Sequence, residues 1–338
     1  MRKHYEIGSE FWDVPVNEND NGLFADNIQW YLSGRSALKA IIKETPHIKS
    51  VAMPGWCCDS MILPFIDAGI SVKFYPVYFD GDFRQDLRFD CDALFIMDYF
   101  GYTGKAPDIS GYPGTVIRDV THSLFSKSYC DADYYFGSLR KWCGIKTGGF
   151  AFAQSGRRLI EAGGEDYGYT ELRRKAMMLK DCYINGKPDN EGNPVTDKKY
   201  LDIFSEAEEL LEKIDIAPAS ESDVELSGRT DAGFIRTRRR ENAGILMSAF
   251  SDWLIFPEMS DSDCPMFVPV LVPGGKRDEL RRHLIKNEIY CPVHWPVSEY
   301  HRLDETSSRI YPDELSLVCD QRYGKEDMLH IVNTIKSF

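Results

Sequence analysis

Between Val51 and Ala153 the sequence repeats one unit: a short apolar, β-branched or aromatic run, a Gly or Pro turn, then a stretch whose apolar residues recur at helical spacing. Alternating strands and helices of this kind bury their apolar faces only as a sheet covered by helices, which defines an α/β domain. The strand candidates are residues 51–53, 72–77, 93–98, 115–119, 134–137 and 149–153. Runs such as Ala93-Leu94-Phe95-Ile96-Met97 lack any polar alternation, so these strands are expected to be buried on both faces of a mostly parallel sheet. Ligands of such sheets bind beyond the carboxyl ends of the strands, where Asp119 and the run from Ser138 to Lys141 fall.

The chain has 338 residues, more than one hydrophobic core usually serves, so a large domain and a smaller one are expected. Beyond Gly163 come charged segments with helical spacing over 171–183 and 200–214. The stretch between them, 185–197, holds three Asn, two Gly and two Pro and reads as a loop. Residues 266–338 read as strand 266–272, helix 276–286, strand 289–292, strand 314–319 and helix 325–336, a small α+β unit. The predicted division is an N-terminal arm over 1–27, a large α/β domain over 28–250 and a small C-terminal domain over 251–338.

Charge and cysteine content narrow the setting. A net charge of -13 argues against a nucleic-acid partner and against an anionic membrane surface. The one dense basic run, Arg236 to Arg240, is followed at once by Glu241 and reads as the solvated start of a helix rather than an anion site. Nine cysteines form an odd set with no Cys-x-x-Cys pair and no metal-ligand spacing, which predicts reduced thiols and no metal centre. The stretch from Met1 to Val16 is polar, and no apolar run is long enough to cross a bilayer. The expected home is the cytoplasm.

Three stretches carry chemistry. The first is Phe136-Gly137-Ser138-Leu139-Arg140-Lys141, followed by Gly148-Gly149: a strand, a Ser-x-x-Lys turn and a Gly-Gly strand. An enzyme that links its lysine to an aldehyde needs that amine partly desolvated and held on a rigid turn, and Lys141 has this setting. Ser138 is placed to bind a cofactor phosphate, and the glycines allow close backbone approach. Ser-x-x-Lys also occurs in penicillin-binding enzymes, but Lys146-Thr147-Gly148 lies too near Lys141 to form their separate opposite wall. The second stretch, Val116-Ile117-Arg118-Asp119-Val120-Thr121-His122, is an apolar strand ending in an acid. Pyridoxal phosphate acts as an electron sink only while its ring nitrogen stays protonated, and a buried carboxylate maintains that proton. Asp119 suits this role. The third is Ser33-Gly34-Arg35-Ser36-Ala37-Leu38, a glycine and hydroxyl-bearing helix start where backbone amides suit a phosphate; a plain helix N-cap fits it equally well.

In this order the motifs resemble the fold-type I pyridoxal-phosphate enzymes, and most closely the DegT/StrS-like aminotransferases associated with amino-sugar and polysaccharide biosynthesis. Ser33 to Leu38 is similar to that family's Gly-Thr-x-Ala-Leu loop, and Pro54-Gly55-Trp56-Cys57-Cys58-Asp59 to its Pro-Ser-x-Thr-aromatic segment. Ile117 to His122 is similar to its Glu-Asp-Ala-Ala-His/Gln stretch, and Lys141 with Gly148-Gly149 to its lysine-then-Gly-Gly signature. The resemblance implies the aspartate-aminotransferase fold, with pyridoxal 5'-phosphate as the cofactor and Lys141 joined to it as a Schiff base. It further implies that Asp119 meets the ring nitrogen and His122 the ring hydroxyl, while Gly34, Arg35, Ser36 and Ser138 surround the phosphate. Either Trp56 or Cys58 would face the ring. In the C-terminal part, Cys291-Pro292-Val293-His294-Trp295-Pro296 and the stretch Leu315 to Tyr323 resemble segments that close over substrate. Arg322 is a candidate for a donor carboxylate, with an ion pair to Asp320 as the alternative. His294 is the other substrate-side candidate, against a plain packed histidine.

The implied activity is transfer of an amino group from a small-molecule amino-acid donor to a keto acceptor, in a homodimer whose 185–197 loop reaches across. The alternatives are another reaction of the same cofactor, such as a lyase or dehydratase, and a binding protein that keeps the fold without turnover.

Overall fold

The computed structural model describes residues 4–18, 27–87, 90–127 and 131–338. Cys130 and parts of the predicted arm, 1–3 and 19–26, lie outside the described residues.

The strands and helices follow the expected alternation. A short strand β1 (Ile7–Gly8) and strand β2 (Gln29–Tyr31) precede helix α1 (Gly34–Glu44), strand β3 (Ser50–Pro54), helix α2 (Asp59–Asp67) and strand β4 (Ser71–Tyr75). A hairpin of β5 (Val77–Phe79) and β6 (Phe83–Gln85) comes next. It is followed by β7 (Ala93–Met97), β8 (Thr115–Asp119), β9 (Tyr134–Ser138) and β10 (Gly149–Ala153). Helices α3 (Tyr169–Asn185), α4 (Tyr200–Leu211), α5 (Glu221–Gly228) and α6 (Ala232–Ala249) lead to β11 (Val268–Leu271), α7 (Arg277–Lys286), β12 (Ile289–Tyr290), β13 (Glu314–Leu317) and α8 (Lys325–Lys336).

Seven strands form one sheet in the order β2-β10-β9-β8-β7-β3-β4. Strands β9, β8, β7, β3 and β4 run parallel, while β10 is antiparallel to both β9 and β2. All five residues of β7 are buried, as expected for a strand covered on both faces. The strand order switches direction beside β3, and the carboxyl ends of β3, β8 and β9 lie along one edge of the sheet. Asp119 ends β8, paired with Met97 on one side and Phe136 on the other, and Ser138 ends β9. This edge is where an open α/β sheet offers a ligand crevice.

The sequence reading missed β1, β2 and the β5–β6 hairpin. Each is only two or three residues long, too short for periodicity to register. The predicted strand 72–77 breaks at Pro76, whose missing N–H ends β4 at Tyr75. The basic run also departs from its reading. Arg236 to Arg240 lies inside α6, and none of it awaits an anion. Arg236 and Arg240 donate to backbone carbonyls of the 260–263 segment. Arg239 is 1% exposed and bonds the Met266 carbonyl and the Gln321 side chain.

In the C-terminal part, β11 pairs antiparallel with β13, α7 packs on β13, and α6 packs on both α8 and β11. One continuous apolar cluster runs from the central sheet into this part. The beginning of the chain joins it from the other side: β1 pairs parallel with β12, Ile7 opposite Ile289 and Gly8 opposite Tyr290. Gly8 has φ +91, and a Cβ there would sit 2.4 Å from the Tyr290 carbonyl oxygen, so only glycine allows this approach. Glu6 is buried beside it, ion-paired to Lys180 of α3 at 2.7 Å and to Lys198 at 3.1 Å. The eight described cysteines are all free thiols. Among the described residues no helix is long and apolar enough to cross a membrane.

Candidate active site

A cavity of about 630 Å³ opens at the carboxyl edge of the sheet. Its wall on the side of the central sheet and α1 is made by Gly34, Arg35, Cys58, Asp119, His122, Ser138 and Lys141, and its opposite wall by His294, Trp295, Asp320 and Arg322. Gly8, Ser9, Glu10 and Phe11 close it from the side of β1. The volume lies within the range of small-molecule sites.

Lys141 ends a single 3-10 turn, Leu139–Lys141, that follows β9. The turn is rigid for local reasons. The Leu139 amide donates to the Gly148 carbonyl at 2.9 Å, the Trp142 indole donates to Thr121 O at 2.6 Å, and the Gln321 side chain donates to Trp142 O at 2.6 Å. Behind it, the buried Asp223 carboxylate accepts from both the amide and the hydroxyl of Thr147 and pairs with Lys146 at 2.5 Å. A Cβ on Gly149 would lie 2.1 Å from the Ser33 carbonyl, so the second glycine of the Gly-Gly pair lets the start of α1 press against β10.

The Lys141 side chain reaches the cavity, and among the described residues its amine makes no hydrogen bond or ion pair. Its pKa is lowered, first by the Arg140 guanidinium and then by burial, against the opposing pull of Glu208, Glu10 and Cys58. A lowered pKa leaves more of the amine neutral and nucleophilic. Arg140 is itself paired with Glu208, while Arg173 pairs with Glu10 at 3.1 Å. Burial works against ionisation of Glu10, yet Arg173, Arg140 and Lys141 together hold its carboxyl down to about 2.

Asp119 is 3% exposed and faces the cavity. One carboxyl oxygen accepts the Thr121 amide at 2.8 Å, and no cation pairs with it among the described residues. Burial, with a smaller contribution from the Asp98 carboxylate, raises its pKa to about 6 despite the Thr121 bond. Asp98 is spoken for by Arg118, Nη2 to Oδ1 at 2.6 Å, and by the Ser123 hydroxyl. His122 is buried above this strand end. The Phe100 amide donates to its Nδ1 at 3.3 Å, so the single ring proton sits on Nε2. Burial first, then His294 and Lys141, push the imidazole pKa well below normal, so the ring is neutral. Trp295 stacks on it with centroids 5.6 Å apart and planes at 23°.

The start of α1 lies against β9: a Cβ built on Gly34 would be 3.4 Å from the Ser138 Cβ. Ser33 caps this helix, accepting the Ser36 amide at 3.1 Å. The hydroxyl of Ser138 and the guanidinium of Arg35 have no hydrogen-bond partner among the described residues, and both residues line the cavity.

Three sequence-predicted residues are placed differently. Ser36 does not line the cavity; its hydroxyl donates to the Asp215 carbonyl at 2.7 Å, because the helical turn points it toward the segment after α4. Trp56 is fully buried behind the wall, stacked on Tyr99 at 5.1 Å, with its indole N–H on the His294 carbonyl at 2.7 Å. Of the two ring-facing candidates only Cys58 reaches the cavity, where its sulfur accepts from the Ser60 hydroxyl at 3.1 Å. Arg322 lines the cavity, but its guanidinium is occupied. It pairs with Asp320 at 2.8 Å and donates to the carbonyls of Glu10 and Ser9 at 3.0 and 3.1 Å, over the Phe11 ring at 4.1 Å. Sequence reasoning missed Glu10, Phe11, Arg140, Glu208 and Trp295. Arg140 and Trp295 adjoin residues that were singled out; Glu10 and Glu208 carry no local signal.

The donor set fits pyridoxal phosphate. An unpartnered amine, a buried carboxyl lacking a cation, and an unspent hydroxyl and guanidinium beside a helix N-terminus match an aldehyde, a protonated ring nitrogen and a phosphate. Among the described residues no group of three or more His, Cys, Asp or Glu side chains is arranged to hold a metal.

The chain has the fold of the pyridoxal-phosphate-dependent aminotransferases of fold type I, with a mostly parallel central sheet. Among solved structures it is similar to a putative sugar aminotransferase, Spr1654 from Streptococcus pneumoniae in its PMP form, at 14% identity and TM-score 0.63, covering 98% of this chain and 97% of that one. It is also similar to PseC from Helicobacter pylori, an aminotransferase involved in the biosynthesis of pseudoaminic acid: 15% identity, TM-score 0.61, 98% of this chain and all of that one. A third is the sugar aminotransferase CalS13 from Micromonospora echinospora, at 15% identity and TM-score 0.59, covering 92% of this chain and 87% of that one. No protein-family model and no curated protein matches the sequence.

Proposed function

We propose that the chain is a pyridoxal-phosphate-dependent aminotransferase of the DegT/StrS-like kind, moving an amino group from an amino-acid donor to a keto acceptor. The observation that carries this reading is the pairing, within one cavity, of the unpartnered Lys141 amine with the buried Asp119 carboxyl. The names of the structural neighbours favour a sugar-linked ketone as acceptor.

Lys141 would carry the cofactor. Asp119, whose carboxyl is pushed up for want of a cationic partner, would hold the ring nitrogen, and His122 would donate its Nε2 proton to the ring hydroxyl. Ser138, Arg35 and the first amides of α1 would hold the phosphate. When bound, the cofactor supplies an electron sink for the charge left as a proton leaves the donor's α-carbon. The Lys141 amine, kept partly neutral by Arg140, would take that proton and later return one to the product. The Glu10 and Glu208 carboxylates, tied to Arg173 and Arg140, keep the surrounding charge balanced.

The same reading includes a cytoplasmic homodimer whose 185–197 loop reaches the neighbouring subunit, and the division into arm 1–27, large domain 28–250 and small domain 251–338. Sedimentation that gives an active monomer at working concentration would remove the dimer. The chemistry is tested by the absorbance of the purified protein before and after borohydride, followed by mass spectrometry of its peptides. A yellow band that bleaches, with the cofactor mass on Lys141, is the expected result; cofactor-reconstituted protein with no band and no modified lysine overturns the proposal.

A further inference from the structure

The wall opposite Lys141 carries a second arrangement of titratable groups that the reading above does not use. Glu314 and Ser316 lie two residues apart on β13, so their side chains share one face of the strand, and both are fully buried. That face meets the 291–296 segment, held alongside by the Ser316 amide on the Pro292 carbonyl at 3.0 Å. Glu314 Oε2 accepts the His294 amide at 2.7 Å, and Oε1 is 2.6 Å from the Ser316 hydroxyl. The same hydroxyl is 2.8 Å from His294 Nδ1. The far side of the ring lines the cavity, and Nε2 has no hydrogen-bond partner among the described residues.

We propose that Glu314, Ser316 and His294 form a proton relay that opens on the cavity, through which His294 Nε2 exchanges a proton with an oxygen of the bound substrate. The inference rests on the aminotransferase reading for its substrate, a keto or hydroxyl compound, and on the hydrogen bonds alone for its wiring.

The wiring has two states. With Glu314 ionised, the Ser316 O–H donates to the carboxylate, Nδ1–H donates to Ser316 Oγ, and Nε2 is a bare acceptor. With Glu314 protonated, Oε2 is still engaged by the His294 amide, so the acid proton lies on Oε1 and donates to Ser316 Oγ. The Ser316 O–H then donates to Nδ1, and the ring proton sits on Nε2, facing the cavity. Passage between the states moves one proton at each link. The Nε2–H bond breaks toward the substrate oxygen, the Ser316 proton moves to Nδ1, and the Glu314 proton moves to Ser316; the substrate gains a proton and Glu314 becomes a carboxylate.

The surroundings suit exchange of this kind. Burial, then the Lys141 charge, lowers the His294 pKa to about 3, so the ring does not hold two protons and can act only by changing which nitrogen carries one. Burial raises Glu314 to about 8, against the Ser316 and His294 hydrogen bonds and the Arg277 guanidinium of α7, so both states are within reach near neutrality. The other charged or titratable neighbours facing His294 are Lys141 and the neutral His122 across the cavity, ring centroids 5.9 Å apart. His294 is the group that touches substrate; Ser316 and Glu314 are positioning residues.

The test is the tautomer of His294, read from long-range ¹H–¹⁵N spectra of the full chain labelled on histidine, with His294→Asn supplying the assignment. The expected result is Nε2–H below about pH 8 and Nδ1–H above it, with Glu314→Gln fixed as Nε2–H throughout. One unchanged tautomer in the wild-type protein across this range, or an imidazolium near neutrality, overturns the relay. This measurement needs no cofactor, so it decides the relay even if Lys141 proves to carry none. In turnover, Ser316→Ala is expected to lose about 100-fold, and Ser316→Thr, which restores a hydroxyl, to recover most of it. A folded Ser316→Ala protein with wild-type turnover and pH profile rejects the proposal.

Discussion

The two walls of the cavity treat their polar groups in opposite ways. On the wall formed by the central sheet and α1 the Lys141 amine, the Ser138 hydroxyl and the Arg35 guanidinium have no partner among the described residues, and Asp119 is met by Thr121 and by no cation. On the wall of the C-terminal part most groups are tied to a neighbour: Arg322 to Asp320 and two carbonyls, Glu314 to Ser316 and the His294 amide, and His294 to Ser316 through Nδ1, with its Nε2 left open to the cavity. A wall whose polar groups stand open to the cavity suits a ligand that supplies their partners, whereas a wall whose groups are largely satisfied holds shape and passes protons.

Substitutions that break this contrast should rank accordingly. Lys141→Ala removes the one amine, and turnover is expected to fall by at least about 10⁴-fold; amine transfer at the wild-type rate would break the contrast at its root. Asp119→Asn comes next, with turnover down by about 10²–10³. It should also change the stability of the cofactor-free protein. Burial lifts the folded carboxyl to about 6 from its ordinary 3.8, so the folded state holds the extra proton between those values. Stability contributed by this group therefore falls as pH rises from about 4 to about 6, and the whole penalty is present above that. Asp119→Asn is expected to stabilise the cofactor-free chain at pH 7 by on the order of 2–3 kcal/mol and not at all below pH 4, as read by denaturant melts at the two pH values.

Ser138→Ala should have a smaller effect, about a tenfold weaker hold on the cofactor from one lost hydrogen bond to a phosphate, measured by titrating the apoprotein. The smallest functional effect belongs to Arg322, whose guanidinium is already engaged. Arg322→Lys should leave the KM of the amino donor unchanged while lowering stability by about 1–3 kcal/mol, because lysine cannot meet Asp320 and two carbonyls at once. A large rise in donor KM without loss of stability would show that Arg322 turns from Asp320 to the substrate.

The same contrast explains what could be read in the sequence. The sheet was legible because β3, β7, β8, β9 and β10 are five-residue strands with apolar or aromatic centres between turns, and the wall they form because Asp119, Ser138 and Lys141 sit at or just beyond the ends of β8 and β9. Asp119 after four residues of strand and Lys141 three after Ser138 are local patterns. Trp56 and Cys58 stayed open as alternatives in the sequence because the chain reverses its exposure within two residues, burying the indole against Tyr99 and leaving Cys58 at the cavity. Arg322 was ambiguous because a bidentate guanidinium suits a substrate carboxylate and Asp320 equally, and only the fold shows which is in place. Glu10, Glu208 and the Glu314–Ser316 pair were invisible as site residues, since their meaning comes from partners hundreds or tens of residues away.

The pairing of Ile7–Gly8 with Ile289–Tyr290 bears on how the molecule is made. Residues 8–11 form part of the cavity lining, yet the strand that Ile7 and Gly8 pair with is synthesised long after them. At about 5–20 residues per second, on the order of 15–60 s separate the synthesis of the two strands. Throughout that interval Ile7 lacks its strand partner and the cavity cannot be completed, so capture of a small molecule there waits on the synthesis of β12.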